Sequence, residues 1–431
     1  MRHASSTSNR RHRPLVRVVQ ALLLCLALVA TAPVAAKQPP AAANPAVITT
    51  WNEIAVTTVT SMPPSGAGMA GPTAFNYFAF MHIAVYNAVV GITGEYELYR
   101  WNAKAPKGAS PEAAAAAAAH RVLRHYFGTP TIAPTLDAKL AASLALVPNG
   151  VQKEQGIRYG ERAADRIIAL RSNDGRGATV FVPPPTEAGD WQPTPPTFAA
   201  FTTAWLGGVT PLALDSHDRF DPGPPPQIGS PTYVEEFEEV RAVGDINAPI
   251  DVRSFEMTQT AKFFSDAGIT GMQRGLQDFA LRRGLDIDDS ARMFAAADTA
   301  IADGAGTVWN AKLQYMWWRP VTAIQQTVDP DWLPLIGTPA YPDWPSGLCS
   351  VVGAASTVLT RLNGDGTLDL KIASTAAGET RTFATKAEIA QQAIDARVWS
   401  GIHFRTADEV SITSGTNVAN WVLDHYFQPT D

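Results

Sequence analysis

Residues 74–90 read AFNYFAFMHIAVYNAVV. Apolar side chains recur on every face of a 3.6-residue repeat, so this stretch predicts a helix buried all round. Such a helix has to be surrounded by other helices or sheets, and its neighbours in the sequence decide which. Upstream, from Trp51, the residues Ile54, Ala55 and Val59 share one helical face, and Met62-Pro63-Pro64 ends that pattern. Downstream, residues 111–127 form an Ala-rich helix with Pro111 in its first turn and Gly128 after its end. Helical patterning continues over 134–146 and over 151–171, where Ser172-Asn173-Asp174-Gly175 stops it.

The character changes between 180 and 232, where prolines such as Pro183, Pro184, Pro185, Pro195, Pro196, Pro224, Pro225 and Pro226 forbid long helices and central strands. Trp191, Phe198, Phe201 and Trp205 make the segment too apolar for a disordered tail. It predicts an ordered loop that wraps the helices and packs its aromatics on them. Helices then return over 233–243, 254–266, 271–283, 290–315, 348–362, 386–399 and 407–427. Residues 367–385, TLDLKIASTAAGETRTFAT, alternate around Ala377-Gly378 and predict one β-hairpin. The fold class is therefore all-α, built of helical bundles, with one small β-hairpin insertion and a long Pro-rich wrapping loop.

Three segments carry chemistry. In Lys312-Leu-Gln-Tyr-Met-Trp-Trp-Arg319-Pro320 two cations stand seven apart. On a continuous helix both heads would leave one face, with Pro320 ending or kinking the helix directly after. Two cations inside so aromatic a run repel each other unless an anion lies between them; a snorkelling surface pair is the plainer alternative. In Pro345-Ser346-Gly347-Leu348 the Ser-Gly pair falls at a helix N-terminus, where free N–H groups and a hydroxyl can hold an anion. An ordinary serine N-cap would look the same. In Arg397-Val-Trp-Ser-Gly401-Ile-His403 a guanidinium suited to an oxyanion precedes a histidine across a turn that Gly401 permits. Neutral imidazole is a common transition-metal ligand. His82, His120, His125, His217 and His425 sit in plain helix or loop contexts and read as structural.

Taken in order, Lys-x6-Arg-Pro, Pro-Ser-Gly and Arg-x3-Gly-x-His resemble the three-part signature of the vanadium-dependent haloperoxidase and type 2 phosphatidic acid phosphatase superfamily. Residues 81–89, 190–196, 205–214, 260–266 and 401–405 resemble its secreted bacterial haloperoxidase-like branch, so the likeness runs from about Trp51 to the end. The resemblance implies an all-α fold and a vanadate cofactor. Lys312, Arg319 and Arg397 would neutralise the vanadate oxygens, Ser346 and the Gly347 N–H would hydrogen-bond them, and His403 would be the metal ligand. Its substrates would be peroxide and halide, with an organic acceptor or, in phosphatase chemistry with His403 as nucleophile, a phosphate ester. The family pattern has His where this chain has Leu348, which removes the acid/base group and leaves a non-catalytic vanadate- or phosphate-binding homologue as a further alternative. His217, Asp343 or water could replace that group, and Asp408 could orient His403.

The remaining features bound the setting. Five arginines, an apolar run from Val18 to Ala30 and small residues to Ala36 predict a signal peptide over 1–36, followed by a flexible lead-in over 37–50. The helical domain would occupy 51–431, with the active-site half at about 290–428. Export implies a secreted or periplasmic protein, with no membrane span after the signal. Cys349 is then the one remaining thiol, so no internal disulfide is expected. A net charge of −6 gives no basic footprint for nucleic acid. Self-association into a homo-oligomer is left open.

Overall fold

The computed structural model describes residues 43–61 and 71–430. The predicted signal peptide, and the lead-in before residue 43, lie outside them. The described residues contain thirteen α-helices and one two-stranded sheet, joined by shorter turns and loops. Helix α1 (Ala46–Ser61) starts five residues before the expected Trp51, and Ile48 and Trp51 are both buried. Helix α2 (Ala74–Thr93) is the all-round apolar helix, and its side chains are buried from Ala74 to Val90. By length and composition it could cross a bilayer, but here it is a core helix. Helices α3 (Pro111–Phe127), α4 (Ala133–Ala145) and α5 (Val151–Leu170) follow the sequence reading closely.

The proline-rich stretch is an ordered wrap with two short 3-10 turns, Ala204–Gly208 and His217–Phe220. Trp191 and Phe201 are buried as expected, but Phe198 is 63% exposed. Its backbone is left-handed at φ 48, which turns the ring outward. Next come α6 (Pro231–Val243), α7 (Phe255–Asp266), a π-turn (Ala267–Gly271) and α8 (Met272–Arg283). Helix α9 (Ile287–Tyr315) is the longest element and is buried over most of its length. On one side it packs against α2, and on the other against α11 (Gly347–Leu362) and α13 (Arg405–His425). It is thus the shared pillar of an N-terminal bundle (α2, α3, α5) and a C-terminal bundle (α11, α12, α13), where α12 is Lys386–Trp399.

The close crossing of α11 on α13 has a local cause. A Cβ on Gly415 would stand 2.2 Å from the Ser350 carbonyl, and one on Gly353 would stand 2.4 Å from that of Ile412. Only glycine allows backbones so near. The predicted hairpin is β1 (Leu370–Ser374) paired antiparallel with β2 (Glu379–Phe383), with Leu370 opposite Phe383 and Ser374 opposite Glu379. It braces the π-turn: Asp266 accepts from Ser374 Oγ and from the Thr375 and Ala376 N–H groups.

The segment from Lys312 to Pro320 departs from the sequence reading. Helix α9 ends at Tyr315, and Met316 is left-handed at φ 42. Trp191 N–H then donates to Met316 O, and Trp318 N–H to Gly189 O, so the chain runs extended beside the proline-rich wrap. Arg319 is the N-cap of a new helix, α10 (Pro320–Thr327), with Pro320 in its first turn. The two cations therefore do not share a helix face. Pro320 opens a helix rather than closing one, because a first-turn residue needs no N–H donor.

Candidate active site

The three signature segments converge on one buried hollow. Each reaches it from an element end: Lys312 from the last turn of α9, Arg319 from the N-cap of α10, Ser346 and Gly347 from the start of α11. Arg397 comes from the last turn of α12, and His403 from the link between α12 and α13. Side chains at element ends meet at a point without breaking a helix. Gly401 makes the last link work. Its φ is +79, and a Cβ there would stand 2.5 Å from the Gly244 carbonyl.

Lys312, Arg319, Ser346 and His403 are almost wholly buried, and Arg397 is 8% exposed. The Lys312 ammonium donates to the carbonyls of Pro342 (2.6 Å), Asp343 (3.0 Å) and Pro345 (2.5 Å). All three donors are used, so Lys312 fixes the loop before Ser346 and lends the hollow its charge. Burial, then repulsion by Arg319, drives its pKa well down. Arg319 Nε donates to Tyr341 O at 2.8 Å, and Nη1 donates to Ile402 O at 2.6 Å. The Tyr341 ring lies within 5.2 Å of both cations, a cation–π cover that sequence reasoning missed.

Among the described residues, several donors of this hollow have no partner: Arg319 Nη2, Arg397 Nε and Ser346 Oγ. Ser346 occupies the N-cap position of α11 but makes no side-chain cap hydrogen bond. Its hydroxyl makes no well-formed hydrogen bond and lies beside Asp408, from where it can turn to an anion, which favours the anion reading over an ordinary cap. Orphaned buried donors cost stability unless a ligand satisfies them. A small oxyanion fits this set: it has the charge for three cations and the lone pairs for the idle donors.

His403 has the chemistry of a neutral ligand or nucleophile. Burial, then the nearby Arg319, Arg397 and Lys312 charges, hold its pKa well below the usual range. Its Nδ1 lies 2.8 Å from Asp343 Oδ1, and its Nε2 lies 3.1 Å from Arg319 Nη1. A proton on Nδ1 leaves the Nε2 lone pair available.

Two carboxyls complete the cluster. Asp343 is fully buried, 3.5 Å from Arg319 Nη1, and neither of its oxygens has a well-formed hydrogen bond. Burial pushes its pKa up to about 7, against the pull of Arg319 and Lys312. Asp408, the residue expected to orient His403, faces Cys349 Sγ at 3.4 Å instead. Burial raises its pKa well above the carboxylate range, while the Ser346 hydroxyl and Arg397 oppose the rise. The residue beside His403 is Asp343, whose position three residues before Ser346 was its one sequence signal. His217 lies away in the wrap, packed on Gly306 and bonded to Gly207 O at 3.1 Å. Leu348 points into an adjoining cavity of about 670 Å³, whose lining also includes Gly347 and Arg397.

Comparison with known proteins bears on the fold around this site. Residues 292–431 match the family model described as the VCPO second helical-bundle domain. A vanadium chloroperoxidase from Curvularia inaequalis is 23% identical over 394 aligned positions, which take in 72% of this chain and 64% of that relative. The crystal structure of the first bacterial vanadium-dependent iodoperoxidase superposes with a TM-score of 0.75 at 25% identity, covering 90% of this chain and 96% of that one. Over residues 292–431 the chain matches a helical-bundle domain of the vanadium haloperoxidases, and over 90% of its length it resembles a bacterial member in fold. A holo-type bacterial vanadium-dependent chloroperoxidase shares the haloperoxidase fold, with a TM-score of 0.69 at 16% identity over 90% of this chain and 98% of that one. The chain spans less than two thirds of the length of the Curvularia relative. Among the described residues, no group of three or more His, Cys, Asp or Glu is set to hold a metal.

Proposed function

We propose that this protein is a vanadate-dependent peroxidase that oxidises halide with hydrogen peroxide. The observation that carries the reading is the set of idle buried donors, Arg319 Nη2, Arg397 Nε and Ser346 Oγ, around a neutral His403. Arg319, Arg397, Ser346 and the Gly347 N–H would hold the oxyanion, and His403 would ligate the metal. Vanadate held there would supply Lewis-acid activation of peroxide. Lys312 holds the loop that presents Ser346 and adds positive charge. Arg319 keeps the imidazole in place through Nε2 until a ligand takes that position. Tyr341 and Trp309 lay their rings within 5.6 Å of the Lys312 ammonium, and Tyr341 lies 5.1 Å from the Arg319 guanidinium, which steadies both cations.

Leu348 favours a second reading, oxyanion binding without fast turnover. General acid–base help is worth roughly 10²–10⁴ in rate, and no side chain that can transfer a proton stands at that position. One experiment separates the readings. Purified apo-protein is titrated with vanadate, dialysed, analysed for vanadium and assayed for bromide oxidation with peroxide. Stoichiometric vanadium with bromide oxidation supports the peroxidase. Retained vanadium without oxidation supports the binding protein. His403→Ala should lose the retained metal, and unchanged vanadium content in that variant would refute the ligand role.

A further inference from the structure

The turn that joins Arg397 to His403 is clamped from outside the hollow. Asp395 stands on α12 two residues before Arg397, and Arg405 opens α13 two residues after His403. Arg405 Nη1 donates to Asp395 Oδ1 at 2.8 Å, which closes the chain from 395 to 405 into a ring carrying both site residues. The rest of the guanidinium grips α6: Nε donates to Glu239 Oε2 at 2.9 Å and Nη2 to Glu239 Oε1 at 2.6 Å. This fork-on-carboxylate pairing fixes direction as well as distance. One side chain thus ties α6, α12 and α13 together. Its anchor Glu239 lies well before residue 292, where the matched family domain begins.

A local rule is broken to place it there. A cation in the first turn of a helix opposes the helix dipole, and an acid would suit that turn better. The start of α13 has no need of it, because Glu236 already accepts from the Thr406 N–H at 2.8 Å. Nε, Nη1 and Nη2 each face Glu239 or Asp395, so Arg405 holds the frame and not the anion. The frame needs holding. Gly401 gives the turn its positive φ of 79, and a glycine does little by itself to fix the spacing of the residues on either side. A displacement of about 1 Å in such a site can cost roughly 100-fold in function.

We propose that Arg405 is a positioning residue of the oxyanion site, which sets the separation of Arg397 and His403 through Asp395 and Glu239. The inference rests on the reading of the hollow as an oxyanion site.

The test uses the purified full-length protein without vanadate and two readouts. One is inorganic phosphate affinity by calorimetry. The other is the imidazole nitrogen NMR signal of His403, assigned by its loss in His403→Ala. The variants separate position from charge. Arg405→Lys keeps the charge and loses the fork, and it should weaken phosphate at least tenfold. Glu239→Gln and Asp395→Asn each remove a negative charge, which by charge alone would tighten phosphate; loss of the clamp should instead weaken it at least threefold in each. The His403 signal should move in all three, with helix content by circular dichroism unchanged. Unaltered phosphate affinity in Arg405→Lys, or tighter binding in both carboxylate variants, would overturn the assignment. So would lowered melting temperatures with affinity and His403 signal intact, the mark of a purely structural ion pair. If the wild type binds no phosphate, the oxyanion reading fails, and the His403 signal alone decides the clamp: moved in Arg405→Lys it stands, unmoved it falls.

Discussion

At the residue scale, the hollow has an excess of unlike charge in contact. Asp343 sits among Arg319, Lys312 and His403 with both carboxylate oxygens lacking a well-formed hydrogen bond. A bound oxyanion would compete with it for the same cations. Replacing it with Asn keeps the shape and removes the rival charge. Phosphate affinity in Asp343→Asn, measured by calorimetry at pH 8, should rise about tenfold; two unit charges a few ångströms apart at an effective dielectric of about 20 interact by about 3–4 kcal/mol, more than enough for that gain. A fall in affinity would mean that Asp343 helps the anion by holding His403. The six signature residues were legible because their types and spacing survive in the linear chain. Asp343 was named only as a possible acid/base group, not as the partner of His403, and the Tyr341 and Trp309 cover was missed, because a buried contact or a ring over a cation leaves no periodic trace in sequence.

At the element scale, helix existence was legible and helix junctions were not. Periodicity identified α2, α3, α5 and α9 from their apolar patterns, since it reads burial directly. It ended α9 correctly at Tyr315, but it did not show that Lys312 and Arg319 no longer leave one helix face, because the extended run after Met316 is fixed by hydrogen bonds from Trp191 N–H to Met316 O and from Trp318 N–H to Gly189 O, each linking residues well over 100 apart in the chain. The junction of α6 with α13 shows how such contacts set a site. Glu236 on α6 accepts from the Thr406 N–H at 2.8 Å and from the Thr406 hydroxyl, capping the helix that follows His403. Burial pushes its pKa up from 4.5 to about 7 despite the Thr406 N–H. An acid with a raised folded-state pKa is protonated in the folded chain while the unfolded chain has already ionised. Its contribution is therefore most favourable below pH 4.5, is lost as pH rises from 4.5 to 7, and is constant above that. Over this window, wild type should lose about 2–3 kcal/mol relative to Glu236→Gln, which keeps the acceptor and does not titrate. Urea unfolding of both proteins between pH 4.5 and 8 measures the difference, and parallel curves would show that Glu236 titrates normally.

At the scale of the whole molecule, the question is whether the active-site half can stand alone. The matched family domain begins at residue 292, inside α9, and all six signature residues lie after it. Yet the far face of α9 is buried against the N-terminal bundle, and its charges are paired there. Asp298 on α9 meets His82 Nδ1 of α2 at 2.5 Å and accepts from Gln273 Nε2 of α8. Asp303 on α9 accepts the N–H groups of Leu212, Ala213 and Leu214 from the wrap. One continuous apolar cluster runs from Ile48 of α1 to Phe427 after α13. A pillar paired on both faces couples the two bundles, so the protein should unfold in one transition. Truncating His82 to Ala removes one of the hydrogen-bond partners of the buried Asp298 carboxylate, which typically costs about 1–3 kcal/mol. If the bundles are coupled through α9, that loss on the side remote from the oxyanion hollow lowers the temperature at which phosphate binding disappears by the same amount as the temperature of helix loss. Circular dichroism and phosphate calorimetry, followed through the same temperature range, test it. Phosphate binding that outlasts the loss of half the helix signal would show the C-terminal bundle folding independently.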